Sequence, residues 1–111
     1  MSTTSGYYTR YPVSGKALFR AGSQETTGEL VDISRGGVRI RSKVKPLEGD
    51  EISANFTLKG YSEVFKVVGM VVGVQSDSWG MMFFEEPVGL AKLLWPLEAR
   101  AKKCVASPID T

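Results

Sequence analysis

The sequence predicts an all-β protein: a six-stranded antiparallel small barrel with a C-terminal helix covering one side. Three observations carry this. Between residues 13 and 84, apolar and polar residues alternate in six short runs, the period of half-buried strands. Most runs stop at residues that favour turns, Gly, Ser, Asp or Pro. After residue 87 the apolar spacing lengthens to that of a helix. Six strands at this spacing suit a small closed or sandwiched β domain.

Residues 1–9 are small and polar and are expected to be a flexible segment. Val13, Gly15, Ala17 and Phe19 then alternate with Ser14, Lys16, Leu18 and Arg20. A turn at residues 21–24 leads to a second strand over 26–33, with Val31 and Ile33 facing the core. Arg35-Gly36-Gly37 turns the chain. In the next run Val38, Ile40, Ser42 and Val44 face inward, and Arg39, Arg41, Lys43 and Lys45 face outward. Pro46 to Asp50 breaks the pattern. Ile52, Ala54, Phe56 and Leu58 form the cleanest alternation in the chain. Glu63 to Gln75 is a long β-rich run, and its same-face Gly69 and Gly73 mark bends at barrel corners. Ser76-Asp77-Ser78 turns into a sixth strand, Trp79 to Phe84.

Leu90, Leu93, Leu94, Leu97 and Ala101 fall at helical spacing. Pro87 suits the first turn, the preceding Glu85 and Glu86 suit its positive end, and Arg100, Lys102 and Lys103 suit the last. Pro96 removes a backbone donor and pushes Trp95 out of helical geometry, so a kink or two short helices is expected. Leu94, Trp95 and Leu97 beside Pro96 would suit a partner-docking patch, but packing on the barrel is the default expectation.

Composition narrows the chemistry. The chain has no histidine and a single cysteine, Cys104. Histidine acid–base catalysis, an internal disulfide and Cys/His metal cages are therefore excluded. Adjacent Glu85 and Glu86 face opposite ways on a strand and make no acid–base dyad, so no enzyme is expected. The most apolar run, Val67 to Val74, is far shorter than the ~20 residues of a spanning helix. With no secretory leader pattern at the start, a cytoplasmic location without membrane insertion is expected.

Charge is uneven. Net charge is +2. Residues 10–45 hold eight cations against three acids, and residues 46–111 hold six against nine. A basic first half favours an anionic partner. The stripe Arg39, Arg41, Lys43, Lys45 is most simply a solvated face. Nucleic acid is disfavoured as a partner, because single-strand binding also needs exposed aromatic platforms. Near the basic part only Tyr7, Tyr8 and Tyr11 cluster.

The informative segment is Asp32-Ile33-Ser34-Arg35-Gly36-Gly37. Side chains at i and i+2 of a strand share a face, roughly 7 Å apart. Asp32 and Ser34 are therefore expected to point the same way. A carboxylate accepts donors from a guanine edge, and a hydroxyl donates to phosphate. Two glycines allow positive φ and close approach of backbone N–H groups to an anion. The same residues would also make an ordinary hairpin.

Asp32-x-Ser34-x-x-Gly37 at the end of the second strand, followed by Val38-Arg39-Ile40, resembles the PilZ domain, a bacterial receptor for cyclic di-GMP. The resemblance covers residues 10–103, leaving 104–111 as a tail. It implies a cytoplasmic signalling protein that binds cyclic di-GMP, needs no cofactor and acts through an effector protein. Its second ligand motif is an Arg-x-x-x-Arg pair before the first strand. Here only Arg10 is present, with Gly6 or Ser14 where the other arginine belongs. The implied ligand set is Arg10, Asp32, Ser34, Arg35, Gly36 and Gly37. Arg10 would bind phosphate and stack on guanine, Asp32 would hold the guanine edge, and Ser34 would hold phosphate. Arg35, inside the motif, is the favoured substitute for the missing arginine, ahead of Arg39 and Arg20. The family typically takes the ligand as a stacked pair, and the missing arginine raises the option of a single copy. It also leaves an alternative, a PilZ-like interaction adaptor that does not bind the nucleotide. Trp79 fits either a stacking place at the site's edge or the barrel core.

Overall fold

The computed structural model describes residues 9–96. The strands are β1 (Tyr11–Pro12), β2 (Gly15–Ala21), β3 (Gln24–Ile33), β4 (Gly37–Arg41), β5 (Glu51–Leu58), β6 (Phe65–Val74) and β7 (Ser78–Phe83). The expected barrel is present. Antiparallel pairing runs β3-β2-β5-β6-β7-β4 and closes through β3–β4. The two-residue β1 adds to β3 beyond the end of β2, with Tyr11 opposite Ile33 and Pro12 opposite Asp32.

The alternation in the sequence builds the core. Ala17 and Phe19 of β2, and Ile52, Ala54, Phe56 and Leu58 of β5, are buried. Phe56 stacks on Phe65 and on Phe83 at 5.4 and 6.3 Å. Residues 90–96 are helical. Leu90 and Leu94, one turn apart, are fully buried, and burying each contributes roughly 1.5–3 kcal/mol. Gly89, at φ +88°, brings the chain past Phe65 into this helix. Trp79 is also fully buried. It meets Phe19 edge-on at 4.8 Å, and its indole N–H donates to Ser42 Oγ at 3.0 Å. It is barrel core, not a stacking platform.

Five expectations need correction. β4 ends at Arg41, so Val44 is exposed. Ser42 leaves the ladder because its hydroxyl donates to the Val44 carbonyl at 2.6 Å. Val31 is only half-buried, and the core positions of β3 are Leu30 and Ile33. These are an odd number of residues apart, and a bulge between Leu30 and Asp32 absorbs the extra one. The helix starts at residue 90, and Pro87 instead closes a turn by accepting from the Leu90 amide. It continues through Trp95 and Pro96, so Trp95 is not pushed out of helical geometry. Trp95 is exposed rather than packed on the barrel. Leu97, Arg100, Ala101, Lys102, Lys103 and Cys104 lie outside the described residues, as do residues 1–8.

The two corner glycines behave differently. Gly73 takes φ +72° at a register shift between β6 and β7. Gly69 is needed for space, since a β-carbon there would strike the Met82 carbonyl oxygen. Among the described residues no helix is long and apolar enough to cross a membrane.

Candidate functional site

The β3 bulge sets the site. By letting Leu30 and Ile33 both point inward, it turns Asp32 outward. Asp32 then stands in a row that crosses the barrel: Pro12 of β1, Asp32 of β3, Arg39 of β4, Gly80 of β7 and Val72 of β6 are successive register partners. Directly opposed residues of antiparallel strands share a face. A carboxylate and a guanidinium thus stand side by side on the barrel surface.

Arg10 closes the row from the other side. Its Nη1 donates to Asp32 Oδ1 at 2.9 Å. Arg39 lies the opposite way, over β7. Its Nη1 donates to Ser78 Oγ at 3.2 Å. A β-carbon on Gly80 would sit 3.3 Å from Arg39 Nη2, so the bare strand leaves this guanidinium room to lie flat. Arg10, Arg20, Arg35 and Arg41 each have a carboxylate within salt-bridge distance, and among the described arginines only Arg39 has none.

The turn after β3 is held by its own atoms and by β7. The Ser34 amide donates to the Gly37 carbonyl at 2.9 Å, and the Phe83 amide donates to the Gly36 carbonyl at 2.9 Å. Ser34 Oγ accepts from the Gly36 amide at 3.2 Å and donates to the Gly37 carbonyl at 3.4 Å. Ser34 is buried, at 4% exposure. The expected shared outward face of Asp32 and Ser34 is therefore not formed, because Ser34 follows the end of β3 and turns inward. Neither Gly36 nor Gly37 has positive φ. Gly37 is required for another reason. A β-carbon there would run into the Met81 carbonyl oxygen of β7.

Arg35 is exposed, and its Nε donates to Glu86 Oε1 at 3.3 Å, tying the turn to the segment before the helix. Arg20 sits with Glu25 at the β2–β3 hairpin. That is roughly 23 Å along β3 from Asp32, at ~3.3 Å per residue. The structure thus brings Arg10, Asp32 and Arg39 together, with Arg35 nearby, and leaves Arg20 remote. Its place inside the motif favours Arg35 over Arg39; the register across β3 and β4 sets Arg39, not Arg35, opposite Asp32. Among the described residues no group of three acidic or Cys/His side chains is placed to hold a metal ion.

The family model described as PilZ domain matches residues 7–95. No curated protein matches the chain significantly. Two solved structures share the fold. The Bacillus subtilis inhibitor of motility (MotI/DgrA) superposes with TM-score 0.70 at 14% identity, over 86% of this chain and 50% of that one. The PilZ domain of CeSA from a cellulose-synthesizing bacterium superposes with TM-score 0.63 at 17% identity, over 81% of this chain and 98% of that one. The chain therefore spans half the length of the motility inhibitor.

Proposed function

The chain belongs to the PilZ domain family, and on that premise we propose that it is a cyclic di-GMP receptor that signals through a partner protein. Domains of this family bind ligands and partners and are not enzymes. The observation that carries the reading is Asp32, outward on the barrel between Arg10 and Arg39. Asp32 accepts the N–H donors of a guanine Watson–Crick edge. A guanidinium makes forked bonds to phosphate and stacks on a purine face, which suits Arg10 once it leaves Asp32.

Arg39 takes the part of the missing arginine. It faces Asp32 across the β3–β4 pair and, among the described residues, has no carboxylate to give up. Arg35 must first leave Glu86. Ser34, Gly36 and Gly37 shape the turn that sets the end of β3, and their effect on the ligand passes through that shape. The partner receives the signal through the changed face around Arg10.

A ligand-free adaptor is the second reading. It is favoured by the absence of an arginine at position 6 or 14 and by a Ser34 hydroxyl already spent within its turn. One titration separates the two. Calorimetry with cyclic di-GMP at physiological salt, with GTP as control, should give saturable, cyclic di-GMP-specific heat. No heat and no melting shift at high ligand would overturn the receptor reading and leave the adaptor.

A further inference from the structure

A strand edge lies open on another face of the barrel. β3 pairs with β4 only from Glu29 onward, since Glu29 opposite Arg41 is the last register pair. Residues 24–28 continue as strand with β2 on one side alone. The hydrogen-bond alternation identifies the unpaired groups. The Lys59 amide donates to the Ser14 carbonyl at 2.8 Å, so even-numbered residues of β2 address β5 and odd-numbered ones address β3. Their partners on β3 are the even-numbered residues. Glu25 and Thr27 therefore turn their N–H and C=O groups to the side β4 has vacated.

The vacancy has walls. Carried on, the β3–β4 register would set Lys43 opposite Thr27 and Lys45 opposite Glu25. The chain instead swings away, held by Ser42, which accepts from the Trp79 indole and donates to the Val44 carbonyl. Between this fixed loop and the outer faces of β3, β2 and β5 lies a groove of about 1290 Å³, larger than the ~300–1,000 Å³ of a small-molecule site. Lys16, Lys43 and Lys45 line it, and so does exposed Val44. Of the two acids on its lining, Asp77 is paired with Arg41 at 3.9 Å, and Glu29 stands opposite Lys16. Lys43 and Lys45 have no carboxylate within salt-bridge distance among the described residues.

We propose that this edge captures an extended acidic segment of a partner protein, which adds as a strand beside residues 24–28. Strand addition draws its affinity from main-chain hydrogen bonds and its selectivity from the flanking side chains. Two lysines with no acid beside them select carboxylates. They also disfavour a second copy of this chain, because edge-to-edge pairing would bring Lys43 and Lys45 of one copy against those of the other. Single-stranded nucleic acid fits less well. Among the described residues the only aromatic one lining the groove, Phe56, is buried at 1% exposure and offers no stacking platform there. The inference does not depend on nucleotide binding at Asp32.

The test uses the full chain and a peptide carrying fluorescein on its N-terminal amine, fluorescein-Thr-Glu-Val-Glu-Val-Glu-Thr-amide. Its counterparts are the same peptide with lysine for each glutamate, and an oligothymidylate. The acidic peptide is expected to bind and to slow amide hydrogen exchange at Glu25 and Thr27. The double variant Lys43→Glu/Lys45→Glu should weaken it at least about tenfold, more than the loss of one solvent-exposed charged pair. Thr27→Pro, which removes a donor from a free edge and is tolerated there, should abolish the added protection at the Glu25 amide at an unchanged melting temperature. If that variant fails to fold, the lysine pair still decides. Equal binding of the lysine peptide, no protection at Glu25 and Thr27, or no binding at millimolar peptide would overturn the proposal. Preferential, steeply salt-dependent capture of the oligothymidylate would overturn it in favour of nucleic acid.

Discussion

Replacing Asp32 by alanine separates binding from stability. On the stability side, the variant loses the Arg10–Asp32 ion pair. Its side chains are 44% and 23% exposed, and pairs this open to solvent are worth about 0–1 kcal/mol. Asp32 is on the outer face of the barrel, so no cavity opens. At ~4–8 °C per kcal/mol for a domain of this size, the melting temperature should fall by less than about 8 °C. On the binding side, the carboxylate accepts two donors from the guanine edge. Each charge-assisted bond is worth about 1.5–3 kcal/mol, so losing both costs at least ~3 kcal/mol, or more than a hundredfold in affinity. Asp32→Asn keeps one acceptor and should sit between, down roughly tenfold. Calorimetric titration with cyclic di-GMP reads the affinity, and thermal melting without ligand reads the fold. An alanine variant with wild-type affinity would refute the placement of guanine at Asp32. A melting temperature that collapses with the affinity would show Asp32 to be a structural residue instead.

Arg39→Ala should weaken cyclic di-GMP by about ten- to a hundredfold, the loss of one charge-assisted bond. Arg35→Ala should cost less than about threefold, because Arg35 is engaged by Glu86 and Arg39, not Arg35, stands opposite Asp32; calorimetry on both variants would reveal a reversed order. Gly37→Ala forces a β-carbon against the Met81 carbonyl oxygen. It should destabilise the protein by ~1–3 kcal/mol, the usual cost of overpacking, measured by urea denaturation.

The barrel was legible in the chain because its strands obey one period. β5 shows this best: Ile52, Ala54, Phe56 and Leu58 alternate without interruption, and all four are buried. The site was less legible because it depends on departures from that period. Leu30 and Ile33 can both be buried only through a bulge, and an apolar Val31 between them hides its position. The same bulge places Asp32 opposite Arg39, which no local spacing reveals; register between strands distant in sequence does. Gly37 was found for its place in a motif, but the sequence pointed to backbone freedom where the structure shows a need for space. β4 offered four further alternating residues, yet Ser42 and its two hydrogen bonds end the strand early. A hydroxyl at an inward position was the available signal, since it competes for backbone partners at strand ends.

The number of ligands follows from counting available cations. Cyclic di-GMP carries two phosphates, and a stacked pair carries four. Among the described residues Arg39 has no carboxylate within salt-bridge distance, and on the proposed reading Arg10 is released when Asp32 turns to guanine, so the face would offer two guanidinium groups. That balances one ligand per chain. A second copy needs Arg35, which Glu86 holds. Glu86→Gln removes the competing charge while keeping the side chain's shape. Because the pair is 43% and 32% exposed, its release is worth at most about 1 kcal/mol, or roughly fivefold in affinity. The wild-type titration should therefore give one ligand per chain, and the Glu86→Gln titration tighter binding or a second ligand. Two ligands per wild-type chain, or a Glu86→Gln affinity below wild type, would show that Arg35 already serves the ligand and that its pairing with Glu86 does not limit the site.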